Sequence, residues 1–198
     1  GRTNIALWDE TDQFFYDVVQ QPGVGAHPLR VRSFVGLIPL FAVEAIDGAT
    51  LDRLPNFCRR MTWFLQHRPD LATLVSRWEV PGAGAHRLMA LVRGHRMKAL
   101  LRRALDPAEF LSDHGVRSLS RYHLDHPLVE QVDGVSYVVN YEPAESTTPM
   151  FGGNSNWRGP IWFPLNYLLI EALRRFGEYY GDGFTVECPA GSGEMHTL

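Results

Sequence analysis

Cysteine, excess charge and long apolar runs are all scarce in this sequence. Only Cys58 and Cys188 are present among 198 residues, too few for a disulfide framework or a zinc knuckle. Lys+Arg 19 against Asp+Glu 22 gives a net charge of -3, which provides no general attraction to nucleic acid or an anionic membrane. The longest apolar run, 34–46, contains Pro39 and Glu44 and is too short to span a membrane. We therefore expect no nucleic-acid partner, no membrane partner and no metal site.

The composition is that of a folded protein. Hydrophobic residues make up 45% of the chain and aromatic residues 12%, which is enough for a substantial core. The chain starts at Gly1 without Met, and Met195–Leu198 resembles the opening of another element. We therefore expect residues 1–198 to be an internal fragment of a longer cytoplasmic enzyme. Targeting signals would then lie outside the fragment, and the sequence leaves the oligomeric state open.

Four helices are predicted from the pattern of apolar residues. One follows Ser33 to about Ala42 and another runs from Pro160 to about Phe176; both are apolar nearly all round, which indicates helices buried on every side. Leu51–His67 and His86–Leu105 have apolar residues at helical spacing with arginines between them, which is typical of outer, half-exposed helices. This alternation predicts an all-α fold in two helical layers.

Two short hairpins and long loops complete the expected architecture. Leu7–Val18 has aromatic residues on both sides of a polar turn, and Val132–Tyr141 alternates around Asp133 and Gly134. Asp-Gly is a preferred dipeptide of tight hairpin turns. We expect these hairpins to contain the main strands of a chain that is otherwise helical.

The strongest local motif lies directly before the second buried helix. Asn154, Trp157, Arg158, Gly159 and Trp162 bring an amide, two indoles and a guanidinium to a helix start. Indole rings stack on the apolar faces of sugars, while arginine and asparagine donate to hydroxyl groups. The alternative is that both tryptophans are core residues and that Arg158 forms a structural salt bridge. Arg32, at the start of the other buried helix, would line the same cavity.

Other polar clusters carry less information. A carboxylate pair is what glycoside hydrolysis requires, but acidic residues in loops are usually only solvated. We consequently assign no catalytic role to any of the clustered carboxylates: Asp9, Glu10, Asp12, Asp17, Glu142 and Glu145. The histidines of the 123–126 stretch lack the spacing of a zinc site and are predicted to lie in a surface loop.

Several of these segments together resemble a known family. They are similar to the bacterial glucosidases of glycoside hydrolase family 63, relatives of processing α-glucosidase I and of mannosylglycerate hydrolase. The resemblance covers nearly the whole chain, and the last of the following segments, with Asn166 and Tyr167 after it, is the most specific. The segments are 8–10 with 15–17, 31–33 with 36–40, 115–120, and 153–162.

The resemblance implies a portion of an (α/α)6 toroid and an inverting mechanism without cofactor. In such enzymes an Asp acid protonates the glycosidic oxygen while a Glu base activates water. The family positions of both carboxylates fall outside residues 1–198, so no catalytic residue is assigned to this chain. It would instead contribute sugar-contacting residues, with Trp157 and Gly159 the best matched and Arg158, Arg32, Asn154 and Trp162 inferred from position.

We therefore expect residues 1–198 to be the central to C-terminal part of one catalytic domain, inactive by itself. The parent would hydrolyse a small α-glucoside or α-mannoside, and its partner would be that small carbohydrate. Two alternatives stay open. A toroidal glycoside phosphorylase would need a phosphate site, at which Arg32, Arg117 or Arg158 would cluster. A non-catalytic carbohydrate-binding protein would lack the two flanking carboxylates.

Overall fold

The structure is a computed structural model that describes residues 6–21, 23–72, 78–92, 94–142 and 160–198. Of these described residues, 41% are helical and 27% are in strands, and the strands form six small antiparallel pairs. The prediction of an all-α chain is therefore wrong. The described α-helices are α1 (Gly48–Asp52), α2 (Pro55–His67), α3 (Pro69–Ala72), α4 (Gly94–Ala104) and α5 (Phe163–Tyr180).

Most strand pairs join segments that are close in sequence. The two predicted hairpins are confirmed, and the turn of the second one contains Asp133 and Gly134 with φ of 52° and 77°. The pairs are β1 (Trp8–Asp9) with β2 (Phe14–Phe15), β3 (Asp17–Gln21) with β4 (Gly25–Leu29), β5 (Val43–Ile46) with β6 (Arg87–Ala90), β7 (Leu111–Ser112) with β8 (Gly115–Val116), β9 (Leu128–Val132) with β10 (Val135–Val139), and β11 (Thr185–Glu187) with β12 (Met195–Thr197).

The chain divides into two compact units. The first unit comprises Gly1–Ile38, Ala99–Asn166 and Glu187–Gly193. In its core, the rings of Phe14 and Phe110 stack at 5.9 Å, and both side chains are fully buried. The second unit comprises Pro39–Lys98, Tyr167–Val186 and Glu194–Leu198. Its buried side chains are Leu40, Ala45, Leu88, Ala90, Val92, Met97, Leu169, Ala172, Phe176 and Tyr179.

The segment after Ser33 is helical but differs from the prediction. Phe34–Phe41 is a 3₁₀ helix, and it buries Phe34 and Leu37 three residues apart while Val35 and Ile38 are 38% and 42% exposed. A helix with three residues per turn places such residues on one face. Close packing is the physical constraint here, because a Cβ on Gly36 would lie 2.2 Å from a ring carbon of Phe14. The expectation of burial on every side is wrong.

The three other predicted helices need smaller corrections. Leu51–His67 is divided between α1 and α2, and α2 begins at Pro55, a residue suited to a first helical turn. The first part of His86–Leu105 is the strand β6, and only α4 is helical. α5 begins at Phe163, which is 80% exposed, and it buries a single stripe rather than its whole circumference.

Candidate functional site

Three of the segments that carry the family resemblance are joined side by side through their backbones in the first unit. The amide of Phe34 donates to the Ser118 carbonyl at 2.8 Å, and the amide of Ser120 donates to the Arg32 carbonyl at 2.8 Å. On the other side, the amide of Ser118 donates to the Pro160 carbonyl at 3.0 Å. The stretch 117–120 thus lies between the segment at Arg32 and the segment that directly follows Gly159.

Asn166 extends this backbone arrangement with its side chain. Its Oδ1 accepts from the amide of Val116 at 2.7 Å, and its Nδ2 donates to the carbonyls of Val116 and Trp162, each at 2.9 Å. The Asn166 side chain thus bonds to both the N–H and the carbonyl of Val116, which are the two groups that a neighbouring strand would otherwise bond. Asn166 therefore fixes β8 against the first turn of α5. The sequence indicated this residue only by its place after the motif.

A cavity lined by described residues of the first unit lies beside these joined segments, and it is larger than the cavity around Arg32 described below. Its volume is about 600 Å³, within the range of roughly 300–1,000 Å³ typical of ligand pockets. The guanidinium of Arg117 donates to the carbonyl of Leu111 and, from Nε, to the hydroxyl of Tyr141 at 3.1 Å. The lining residues are Pro107, Leu111, Ser112, Asp113, His114, Arg117, Arg121, Tyr141, Pro160, Ile161 and Pro189.

Three polar side chains of the larger cavity are available to a ligand. Asp113 and His114 form the turn between β7 and β8, and Arg121 begins a 3₁₀ turn, Arg121–Leu124. Within the described ranges, none of these three side chains has a hydrogen bond or an ion pair. They offer a carboxylate acceptor, an imidazole and a guanidinium donor, which is a set that suits the hydroxyl groups of a sugar.

A buried carboxylate, which sequence reasoning missed, fixes Arg32. Glu109 is 8% exposed, and its Oε1 accepts from Arg32 Nη1 at 2.9 Å and also from Arg103. Its Oε2 accepts from the hydroxyl of Ser120 at 2.7 Å. The Glu109 carbonyl accepts from the amide of Arg121 at 2.8 Å. Glu109 therefore connects the Arg32 segment with the start of the 3₁₀ turn.

Asp12 extends the same network to the first hairpin. Its Oδ2 accepts from the hydroxyl of Tyr16 at 2.8 Å and from Arg30 at 3.2 Å. Burial by itself would raise the pKa of Asp12, but the Tyr16 hydrogen bond and the charges of Arg32, Arg103 and Arg30 outweigh it and lower the pKa. Burial, followed by the carboxylate of Asp12, raises the pKa of Tyr16 to about 12, although Arg32 opposes the rise.

The second cavity of the first unit contains Arg32. Its volume is about 330 Å³. The guanidinium carbon of Arg32 lies 3.8 Å from the centre of the Tyr122 ring, and the His126 ring stacks on Tyr122 at 4.2 Å with an interplanar angle of 4°. Three planar groups thus form one ordered stack. The lining residues are Asp12, Tyr16, Arg30, Arg32, Tyr122, His123, His126, Pro127 and Leu128.

His123 occupies the interior of this region. It is 2% exposed, so the prediction that it lies in a surface loop is wrong. The amide of Arg32 donates to its Nε2 at 2.9 Å, which requires the Nδ1–H tautomer; Nδ1 then donates to the His126 carbonyl at 2.9 Å. Burial first, and the positive charge of Arg32 in addition, lower the pKa of His123. The imidazole is therefore a neutral structural link.

The predicted sugar-contacting residues fall into three groups. Asn154, Trp157, Arg158 and Gly159 lie outside the described residues. Trp162 is half-buried, and its carbonyl accepts from the amide of Asn166 at 3.0 Å. Arg32 lines the smaller cavity, where carboxylates neutralise it, and among the described residues it does not line the cavity at Pro160. Arg117, which the phosphorylase alternative would place beside Arg32, lines the larger cavity. This geometry does not favour the phosphate site that a phosphorylase would need.

In the described part of the chain, no three His, Cys, Asp or Glu side chains are grouped as a metal ion would require. None of the helices in the same ranges is both long enough and apolar enough to cross a membrane.

Comparison with known proteins places this geometry in context. A family model described as the mannosylglycerate hydrolase MGH1-like glycoside hydrolase domain matches residues 73–187. The chain is also 47% identical over 195 residues to the uncharacterized protein YMR196W of Saccharomyces cerevisiae, with 97% of this chain covered. The matched region is 18% of the yeast protein, so the chain spans less than a fifth of that relative.

Proposed function

Because this chain belongs to the MGH1-like glycoside hydrolase domain family, we propose that it is part of a glycosidase that acts on a small α-glucoside or α-mannoside. The observation that carries the proposal is the meeting of three resemblance segments beside one cavity of about 600 Å³. That volume accommodates a small glycoside. A cytoplasmic location belongs to the same proposal.

In this proposal the larger cavity binds the sugar. Asp113 accepts hydrogen bonds from hydroxyl groups, and Arg121 donates to them. Pro160 and Ile161 form part of the wall. Trp157, Gly159, Arg158, Asn154 and Trp162 would add the stacking face and further donors, as the resemblance implies.

The chemistry would follow the inverting route. An Asp acid would protonate the leaving oxygen and a Glu base would activate water, from positions outside residues 1–198. Glu142 is not proposed as either group: it is 9% exposed and accepts a hydrogen bond from Asn140 at 2.9 Å. No cofactor takes part in this route. Without the acid and the base, residues 1–198 alone would not hydrolyse a glycoside.

The test is hydrolysis of a panel of α-glucosides and α-mannosides by the longer protein and by residues 1–198. We expect turnover only by the longer protein, with the β-anomer as the first product detected by NMR. Trp157→Ala should remove about 1–3 kcal/mol of transition-state stabilisation, or roughly 5- to 150-fold in kcat/KM, on the scale of base stacking. Trp63→Ala is the matched control, because Trp63 is 57% exposed on α2 and should leave kcat/KM unchanged.

Three outcomes would contradict this proposal and indicate another function or another catalytic site. Cleavage that requires phosphate would identify a phosphorylase, and sugar binding without cleavage would identify a carbohydrate-binding protein. Turnover by residues 1–198 that disappears in Glu142→Gln would show that the catalytic residues lie within this chain.

A further inference from the structure

We propose that the cavity of about 330 Å³ around Arg32, Tyr122 and His126 is a second binding site, for an uncharged polyol of the size of one hexose. The proposed hydrolysis does not require this site. Among the residues that the structure describes, none lines both cavities: Arg121 lines the larger one and Tyr122 the smaller one. The 3₁₀ turn Arg121–Leu124 therefore separates the two.

The charges around the smaller cavity balance. The carboxylates of Asp9, Asp12 and Glu109 are paired with the guanidinium groups of Arg30, Arg32 and Arg103. A charged ligand would gain little from such a neutral set and would lose its hydration. A hydroxyl group both donates and accepts, so neighbouring hydroxyls of a polyol can bond to a carboxylate and a guanidinium at once.

Several polar groups at the cavity are accessible. The side chain of Arg30 is 48% exposed and that of Asp12 is 24% exposed. His126 Nδ1 lies 3.2 Å from the Tyr122 carbonyl, so Nδ1 carries the proton and Nε2 is an acceptor. Among the described residues, Nε2 of His126 has no hydrogen-bond partner. The cavity thus offers a donor and two acceptors that a polyol can reach.

The frame of the cavity is already ordered. Tyr122 is held between Arg32 on one face and His126 on the other. Both faces of this ring are therefore covered, and the apolar contact with a ligand would come from Pro127 and Leu128. Because Glu109 and the His123 imidazole fix Arg32 through its side chain and its amide, little further ordering would be needed on binding.

The volume sets the size of the ligand. At about 330 Å³ the cavity is near the lower end of the roughly 300–1,000 Å³ found for ligand pockets. A single small molecule fits this space better than an oligosaccharide does. A monosaccharide or a smaller polyol is therefore the expected class.

The test is an NMR titration of the full chain with methyl α-D-glucopyranoside, followed at the amides of Tyr122 and Ile161. These two amides report the smaller and the larger cavity separately. We expect saturable shifts at Tyr122, and an affinity there about three- to tenfold weaker in His126→Ala, the effect of losing one hydrogen bond. The matched control is His114→Ala, which removes a turn histidine of the larger cavity and should leave the Tyr122 titration unchanged. Arg30→Gln, at a half-exposed side chain, should also weaken binding at Tyr122.

Clear results would overturn the proposal. It is wrong if Tyr122 shows no saturable shift, or if His126→Ala and Arg30→Gln both leave its titration unchanged while their other amide signals match the parent. Glucuronate, which has the same ring with a carboxylate, should bind no better; tenfold tighter binding of glucuronate would identify an anion site instead. Since binding is measured without turnover, absence of hydrolysis would count against the proposed function and not against this site.

Discussion

Replacement of Glu109 by glutamine should destabilise the first unit more than any other substitution of similar shape in its polar network. Glu109 accepts from two guanidinium groups and one hydroxyl, and the side chains of Glu109, Arg32 and Arg103 are 11%, 12% and 20% exposed. Glutamine keeps the shape but removes the charge, and its amide nitrogen would face donors. Among the described residues, Arg32 would then keep its ion pair with Asp12 at 3.4 Å, and Arg103 would keep a hydrogen bond to the backbone carbonyl of Asp12.

The expected cost follows from the degree of burial. Removing one partner of a fully buried ion pair costs about 3–5 kcal/mol, and surface pairs contribute about 0–1 kcal/mol. For this mostly buried set we expect Glu109→Gln to lower the free energy of unfolding by about 2–4 kcal/mol. With a urea slope of about 1–3 kcal/mol/M, the midpoint should fall by about 1–2 M.

Urea denaturation followed by circular dichroism measures this change. The control is Glu171→Gln, since Glu171 pairs with Arg174 at a surface position where the two side chains are 33% and 66% exposed. This control should shift the free energy of unfolding by less than about 0.5 kcal/mol. The reasoning is refuted if both variants unfold at the same midpoint as the parent chain.

Three further predictions concern packing, positioning and pH. Gly36→Ala should lower the free energy of unfolding by about 3 kcal/mol or more, because its Cβ would lie 2.2 Å from Phe14 and 2.6 Å from the Phe15 carbonyl oxygen. The control is Gly183→Ala, where a Cβ would meet no atom within 4 Å, and this variant should unfold thermally at nearly the same temperature as the parent chain. Asn166→Asp loses both hydrogen bonds donated by Nδ2 and should lower the free energy of unfolding by about 1–3 kcal/mol. Faster hydrogen exchange at the Val116 amide should report the change locally. The fold raises the pKa of Tyr16 from 10.0 to about 12, so the stability that the protonated hydroxyl contributes is complete below pH 10 and is lost as the pH rises towards 12. Unfolding of Tyr16→Phe, measured over the same pH range, should lack this part of the loss of stability at alkaline pH.

The elements that the sequence predicted correctly are those fixed by neighbouring residues. The hairpin at Asp133 and Gly134 needs two residues with positive φ, which this dipeptide supplies locally. In contrast, Arg87–Ala90 was predicted to be helical because its apolar spacing continues into α4. It is a strand because Val43–Ile46 pairs with it, and that partner is distant in sequence. Pairing of this kind leaves no local signal.

The same distinction applies to the candidate site. From its position before an apolar segment, Arg32 is predicted to line the same cavity as the 154–162 motif, whereas among the described residues it lines the smaller cavity and not the one at Pro160. Glu109 was missed because its function depends on Arg32, Arg103 and Ser120, which only the fold brings together. His123 was assigned to a surface loop for the same reason. Periodicity describes which face is apolar, whereas a buried polar network depends on contacts between distant segments.

The central position of 117–120 restricts how this protein can vary in length. Both edges of the stretch are hydrogen-bonded, to 32–34 on one side and to 160–161 on the other. Inserting or deleting one residue there would exchange the faces of the following side chains and misalign two partners at once. Changes of length should accordingly be confined to exposed turns, such as the one at Asp133 and Gly134.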